Sequence, residues 1–130
     1  MVKSNDLPRP TDAELEILTV LWSRGPATVR EVHSTISRRR PAHYTTVLKL
    51  MQIMTDKGLV KRDEKQRAHI YSASRPREWT QRQLAGDLLQ RAFGGSASSL
   101  LLGALSAQKA TPEELAEIRR MIEKHEKGEQ

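Results

Sequence analysis

Cysteine is absent from the sequence, which excludes a disulfide scaffold, a zinc finger and a thiolate metal sensor. Aromatic residues are also scarce. At 4%, with 37% hydrophobic residues overall, they make a thin core for a 130-residue chain, and oligomerisation is the usual remedy. Long apolar runs are missing too. The greasiest stretch, Leu100 to Leu102, is three leucines before a glycine, far short of a membrane span. Residues 1–10 hold no apolar segment of the kind a signal peptide needs, so a cytoplasmic location is expected, with no membrane partner. No glycine-rich phosphate loop and no G-x-S-x-G turn occurs, and Ser96, Ser98 and Ser99 have no base beside them. His33, His43, His69 and His125 fall on four different expected elements without metal-ligand spacing. Neither catalysis, a cofactor nor a metal site is expected.

What the chain does have is charge, unevenly placed. Residues 1–75 carry 14 Lys and Arg against 8 Asp and Glu, whereas residues 76–130 carry 8 of each, so the whole net charge of +6 lies in the first part. Polyanion binding explains such asymmetry, because each neutralised phosphate releases counterions. Solubility alone is the competing explanation.

Local signals divide the chain clearly. Thr11 with Glu14 forms a capping box, and Gly25-Pro26 stops the helix it opens. Leu15, Ile17, Leu18, Leu21 and Trp22 share one broad side of that helix. A second box, Thr28 with Glu31, opens a shorter helix that ends at Arg38-Arg39-Arg40 and Pro41. A third helix is expected from about Ala42 to Lys57, closed by Gly58 as a left-handed cap. The period then changes: residues 59–62 and 68–72 read as two short strands joined by a charged loop. Three helices and a hairpin are the order of a winged helix. Beyond it, a helix is expected from Pro76 to Phe93, then an apolar segment from Ser96 to Leu105. A last helix opens at Thr111 with Glu114, carries Leu115, Ile118, Met121, Ile122 and a partly packed His125 on one stripe, and frays after Lys124. The expected fold is mainly α with a small β-hairpin: a winged helix-turn-helix domain over residues 8–75 and a helical dimerisation domain over 76–127.

On a helical wheel the third helix has two faces. Tyr44, Val47, Leu48, Leu50, Met51 and Met54 form the expected core arc, and Thr45, Thr46, Lys49, Gln52 and Ile53 form the other. Hydroxyls, an amide, an ammonium and a methyl-bearing chain, with no acid before Asp56, suit a helix in the major groove. His43, Thr45, Thr46, Lys49 and Gln52 are therefore the expected base-reading set. Arg38, Arg39 and Arg40 before this helix, and Lys65 and Arg67 at the wing tip, are expected on phosphates. An ordinary solvated helix and hairpin remain the plain alternative for each. In the C-terminal part Leu84, Leu88, Leu100, Leu101, Leu105, Ile118 and Ile122 are expected to form a two-fold homodimer interface; folding back onto the winged helix is the other possibility.

These residues resemble the penicillinase and methicillin-resistance repressors of bacteria, to which the copper-responsive repressors are related. The likeness covers about residues 8 to 125. It lies in Thr11-Asp12-Ala13-Glu14-Leu15-Glu16-Ile17-Leu18 through Leu21-Trp22, in Ala27-Thr28-Val29-Arg30-Glu31-Val32, and in Tyr44-Thr45-Thr46-Val47. It continues through Lys57-Gly58-Leu59-Val60, Arg67-Ala68-His69-Ile70-Tyr71, and Ser98-Ser99-Leu100-Leu101 after the Phe93-Gly94-Gly95 break. The resemblance implies a dimeric repressor of a palindromic operator, controlling a β-lactam-resistance or related stress regulon and relieved when a sensor-linked protease cuts its C-terminal region. The cysteine cluster of copper sensors is missing, so copper binding does not follow. Gly103-Ala104 stands where staphylococcal-type members are cut between asparagine and phenylalanine. The rival reading is a winged helix used for protein contact, its basic face incidental.

Overall fold

A computed structural model describes residues 9–128 of the chain. Residues 1–8 and 129–130 lie outside it, and with them most of the stretch read above for a signal peptide and the expected domain start at residue 8. The chain divides into two units, one reaching to Leu84 and the other starting at Ala85.

In the first unit, α1 (Asp12–Arg24) and α2 (Val29–Ser37) each open with a complete capping box. The Thr11 and Thr28 hydroxyls accept from the Glu14 and Glu31 amides, and the two carboxylates accept in return from the Thr11 and Thr28 amides. This satisfies donors that a helix start otherwise leaves open. The third helix, α3 (Tyr44–Lys57), begins two residues later than expected. Extended backbone at His43 delays it, and the Ala42 carbonyl is taken at 2.8 Å by the His33 ring. Gly58 closes α3 at φ +82°, a conformation that only glycine adopts cheaply. The Leu59 amide still bonds back to Met54, so the first strand starts one residue later than expected.

Strands β1 (Val60–Asp63) and β2 (Ile70–Ala73) pair antiparallel, with Val60 opposite Ala73 and Asp63 opposite Ile70. Ala27 bridges Tyr71 through both of its backbone groups, at 2.8 and 2.9 Å, and so tethers the wing to the α1–α2 turn. The core is where these elements meet: Ile17, Leu18 and Leu21 from α1, Val32 and Ile36 from α2, Val47, Met51 and Met54 from α3, and Val60 and Tyr71 from the wing. The arrangement is the winged helix expected.

The helix α4 (Arg77–Phe93) contributes its first turns to this unit. The Trp22 indole donates to the Arg75 carbonyl at 3.0 Å, and the Arg77 guanidinium donates to the Ser23 hydroxyl at 2.9 Å. In the second unit the later turns of α4 are followed by α5 (Ala97–Ala107), capped by Ser96, and α6 (Pro112–Glu126). The expected apolar segment is thus a full helix, and α6 stays regular two residues beyond the expected fraying point. Thr111 accepts from the Glu114 amide at 3.0 Å, one of the two bonds of the box read there. Gly103 lies against the Phe93 ring: a Cβ at this position would sit 3.4 Å from it. Among the described residues no helix is long and apolar enough to cross a membrane.

Candidate nucleic-acid interface

The reading face of α3 depends on how deeply the opposite face is buried. Val47, Met51 and Met54 are buried and anchor the helix to α1, α2 and the wing. This leaves Thr45, Thr46, Lys49 and Gln52 exposed, with His43 exposed at the cap. Thr45, Thr46, Lys49, Leu50 and Ile53 line a shallow depression of about 360 Å3, polar at one edge and aliphatic at the other. No acid lies in the first turn of α3. Such a surface offers hydrogen bonds to base edges and an apolar contact for a thymine methyl.

One residue of the expected core arc is misplaced. Tyr44 is 42% exposed, its ring edge-on to His33 with centroids 5.6 Å apart. It stands in the first turn, ahead of the level where α3 meets the core at Val47.

The three arginines before α3 are all exposed but do not act alike. Arg40 grips Glu16 of α1 with two bonds, Nη2 to Oε1 at 2.6 Å and Nε to Oε2 at 3.2 Å. That pair holds the Glu16 carboxyl below its usual range, chiefly through the Arg40 hydrogen bonds and with a smaller contribution from the Arg39 charge. Arg40 therefore braces the α2–α3 connection against α1. Among the described residues Arg38 forms no ion pair and remains available to a phosphate.

At the wing, acids that dilute the charge in the sequence are occupied. The Asp63 carboxylate accepts from the Lys65 amide at 2.9 Å, and Glu64 accepts from the Arg62 guanidinium at 2.7 Å. Arg62 stands opposite Tyr71 across the hairpin, and these two neighbours, Tyr71 and Glu64, raise its pKa. The side chains of Lys65 and Arg67 are exposed.

Below the reading face, Glu14 is buried and accepts from the Lys57 ammonium at 2.8 and 3.0 Å as well as from the Thr11 amide. Burial pushes its pKa up, but these bonds outweigh it and hold the carboxyl below its usual value. The pair locks the end of α3 to the start of α1. Its partners are 43 residues apart, and nothing local in the sequence signals it.

The expected association residues separate by exposure within one chain. Leu88, Leu101 and Ile122 are exposed, whereas Leu84, Leu100, Leu105 and Ile118 are half-buried. Leu102, at 68%, and Met121, at 52%, are more exposed than any of these and were not in the expected set. No residue of α5 or α6 is buried. His125 is exposed and lines an open apolar hollow with Ile118, Met121 and Ile122, so the expected partial packing is not found within the chain.

Comparison with known proteins places this architecture. The profile of the penicillinase repressor family matches residues 10–124. The transcriptional regulator BlaI of Mycobacterium tuberculosis is 39% identical over 87 residues, which are 66% of this chain but only 63% of that protein. The penicillinase repressor of Bacillus licheniformis is 23% identical over 119 residues, 92% of this chain and 93% of that one. Among solved structures, the Bacillus licheniformis BlaI monomeric form in complex with the blaP half-operator aligns at a TM-score of 0.50 and 23% identity. It covers 61% of this chain and 93% of its own. A family profile spanning nearly all of the described residues, with the same winged helix, decides the assignment: the chain belongs to the penicillinase repressor family.

Proposed function

We propose that the chain is a sequence-specific transcriptional repressor that binds a palindromic operator as a homodimer. The observation that carries this reading is the outer face of α3, where Thr45, Thr46, Lys49 and Gln52 stand exposed with no acid in the first turn, and where Arg38, Lys65 and Arg67, exposed and without an ion pair among the described residues, stand around them. Relatives named as repressors, one of them in complex with a half-operator, support the same reading. His43, Thr45, Thr46, Lys49 and Gln52 read bases; Arg38, Arg39, Lys49, Lys65 and Arg67 meet phosphates; Arg40 positions. Dimerisation falls to residues from about 76 onward, where Leu101 and Leu102 of α5 and Met121 and Ile122 of α6 stay exposed within one chain. Such a repressor acts in the cytoplasm on a β-lactam-resistance or related regulon, without a cofactor. A protease linked to a sensor, cutting the C-terminal unit, relieves repression by separating the two DNA-binding units.

Binding to a duplex from the chain's own promoter region tests this directly. Thr46→Ala and Lys49→Ala should each weaken it by about 1–3 kcal/mol, because a lost base contact costs that much. Both side chains are off the core, so circular dichroism should be unchanged; wild-type affinity in both variants would remove α3 as the reading element. Salt dependence gives a second check. Two protomers, each placing Arg38, Arg39, Lys49, Lys65 and Arg67 on phosphates, neutralise roughly ten charges and predict a log–log slope of about −9. A slope near zero would favour a winged helix used for protein contact.

A further inference from the structure

Between the start of α2, the first turn of α3 and the wing lies an open groove of about 340 Å3. Arg30, Arg67, His69 and the phenol of Tyr44 line it together with the apolar Val29 and Leu48, and no carboxylate does. Three cations of neighbouring elements are spoken for: Arg24 binds Glu31, Arg40 binds Glu16 and Arg62 binds Glu64. Among the described residues Arg30 and Arg67 have no such partner. Tyr44 is also held in place, edge-on to His33, whose own ring is fixed by the Ala42 carbonyl. Its hydroxyl has no hydrogen-bond partner among the described residues.

We propose that this groove seats one phosphodiester of the DNA backbone. Tyr44 donates its hydroxyl to a phosphate oxygen, Arg30 and Arg67 supply the opposing charge, and the deoxyribose lies against Val29 and Leu48. The inference rests on the DNA-binding reading above and adds Tyr44 and Arg30 to it. Continuity favours a backbone phosphate over a free anion. Tyr44 enters the groove while the next residue, Thr45, belongs to the base-reading face, so a strand whose bases meet Thr45 passes its backbone by Tyr44. An open groove with an apolar side also suits a sugar–phosphate better than a small, fully hydrated ion.

Titration of the full chain with a promoter duplex and a random-sequence duplex, over a range of salt, tests the assignment through Tyr44→Phe and Arg30→Gln. The phenylalanine keeps the ring contact with His33 and removes only the hydroxyl. It should weaken binding to both duplexes by about five-fold per half-site, the worth of one net hydrogen bond, with the salt slope unchanged. Arg30→Gln should weaken both by a similar factor and lower the slope by about one per protomer; Arg30→Lys should restore the slope. A scan with single neutral methylphosphonate linkages should find one backbone position per half-site that matters to the wild type and not to the double variant. Two variants that bind like the wild type would overturn the proposal while leaving the repressor reading intact, and a loss confined to the promoter duplex would turn the groove into a base contact. Displacement of DNA by inorganic phosphate beyond the effect of ionic strength would assign it to a free anion. A wild-type chain that binds neither duplex would overturn both the proposal and the reading beneath it.

Discussion

Replacing Leu102 and Ile122 together by glutamate should give a chain that sediments as a monomer, keeps its winged helix, and binds a full operator ~10²–10⁴-fold more weakly than the wild type. Two linked recognition helices meet two half-sites at high effective concentration, and that gain disappears once the link is broken. Of the residues expected at the interface from sequence, Ile122 is kept, and Leu102 is preferable to Leu101 and Leu105. Leu102 is 68% exposed and Ile122 48%, so charging them disturbs little within one chain, whereas Leu105 is already half-buried there. Across an interface, losing a buried leucine or isoleucine removes about 1.5–3 kcal/mol each, and a buried unpaired carboxylate adds to the cost. Affinity for a single half-site should be unaffected, because the core of Ile17, Val32, Met51 and Tyr71 lies in the other unit. Analytical ultracentrifugation with parallel titrations of full and half operators is the measurement. A wild type that is monomeric at tens of micromolar would contradict the dimer, and a dimeric double variant would move the interface to another surface.

The second large effect is on stability. Lys57→Met should destabilise the fold by about 2–3 kcal/mol at neutral pH, because it leaves the buried Glu14 carboxylate with the Thr11 amide but no cation. A loss at or below the ~3–5 kcal/mol usual for a broken buried pair is expected, since the Lys57 side chain is 31% exposed and its charge partly hydrated. For a unit of this size the melting temperature should fall by roughly 10–20 °C. The pH dependence has a definite sign. In the wild type the Glu14 carboxyl titrates below its ordinary value of 4.5, so its contribution is fully present above that pH and is lost as pH falls through the folded-state value. With Lys57 removed, burial dominates and the carboxyl is easier to protonate when folded, so the variant's deficit should shrink as the solution is acidified below that value. Denaturant unfolding at neutral and acidic pH reads both. A deficit under 1 kcal/mol, or one that stays constant with pH, would mean that the ion pair does not lock α3 to α1.

The same chain also separates what short-range chemistry states from what it leaves open. Two complete capping boxes and the Gly58 terminator each depend on residues within four positions of one another, and all appear in the structure as written. Boundaries moved where a bond reaching beyond four residues intervened. His33, holding the Ala42 carbonyl, delays α3 to Tyr44, and the bond from Leu59 back to Met54 delays β1 to Val60. The wheel that divides α3 into two faces is right from Val47 onward and fails at Tyr44, because a wheel knows direction around the axis and nothing of how far the core extends along it.

By itself, then, the sequence determined a mainly helical winged fold, a basic first part with an acid-poor helix face, and a C-terminal part with apolar stretches such as Leu100 to Leu102. Each of these follows from composition or from contacts one helical turn long. The tertiary structure alone decided which charges remain available. Arg40 and Lys57 are committed to Glu16 and Glu14, partners 24 and 43 residues away, while Arg30 and Tyr44 come to share a groove with Arg67 from across the wing. A formal charge is a property of one residue, but its pairing is a property of the fold: an ion pair between surfaces brought together by burial has no local period or spacing to announce it.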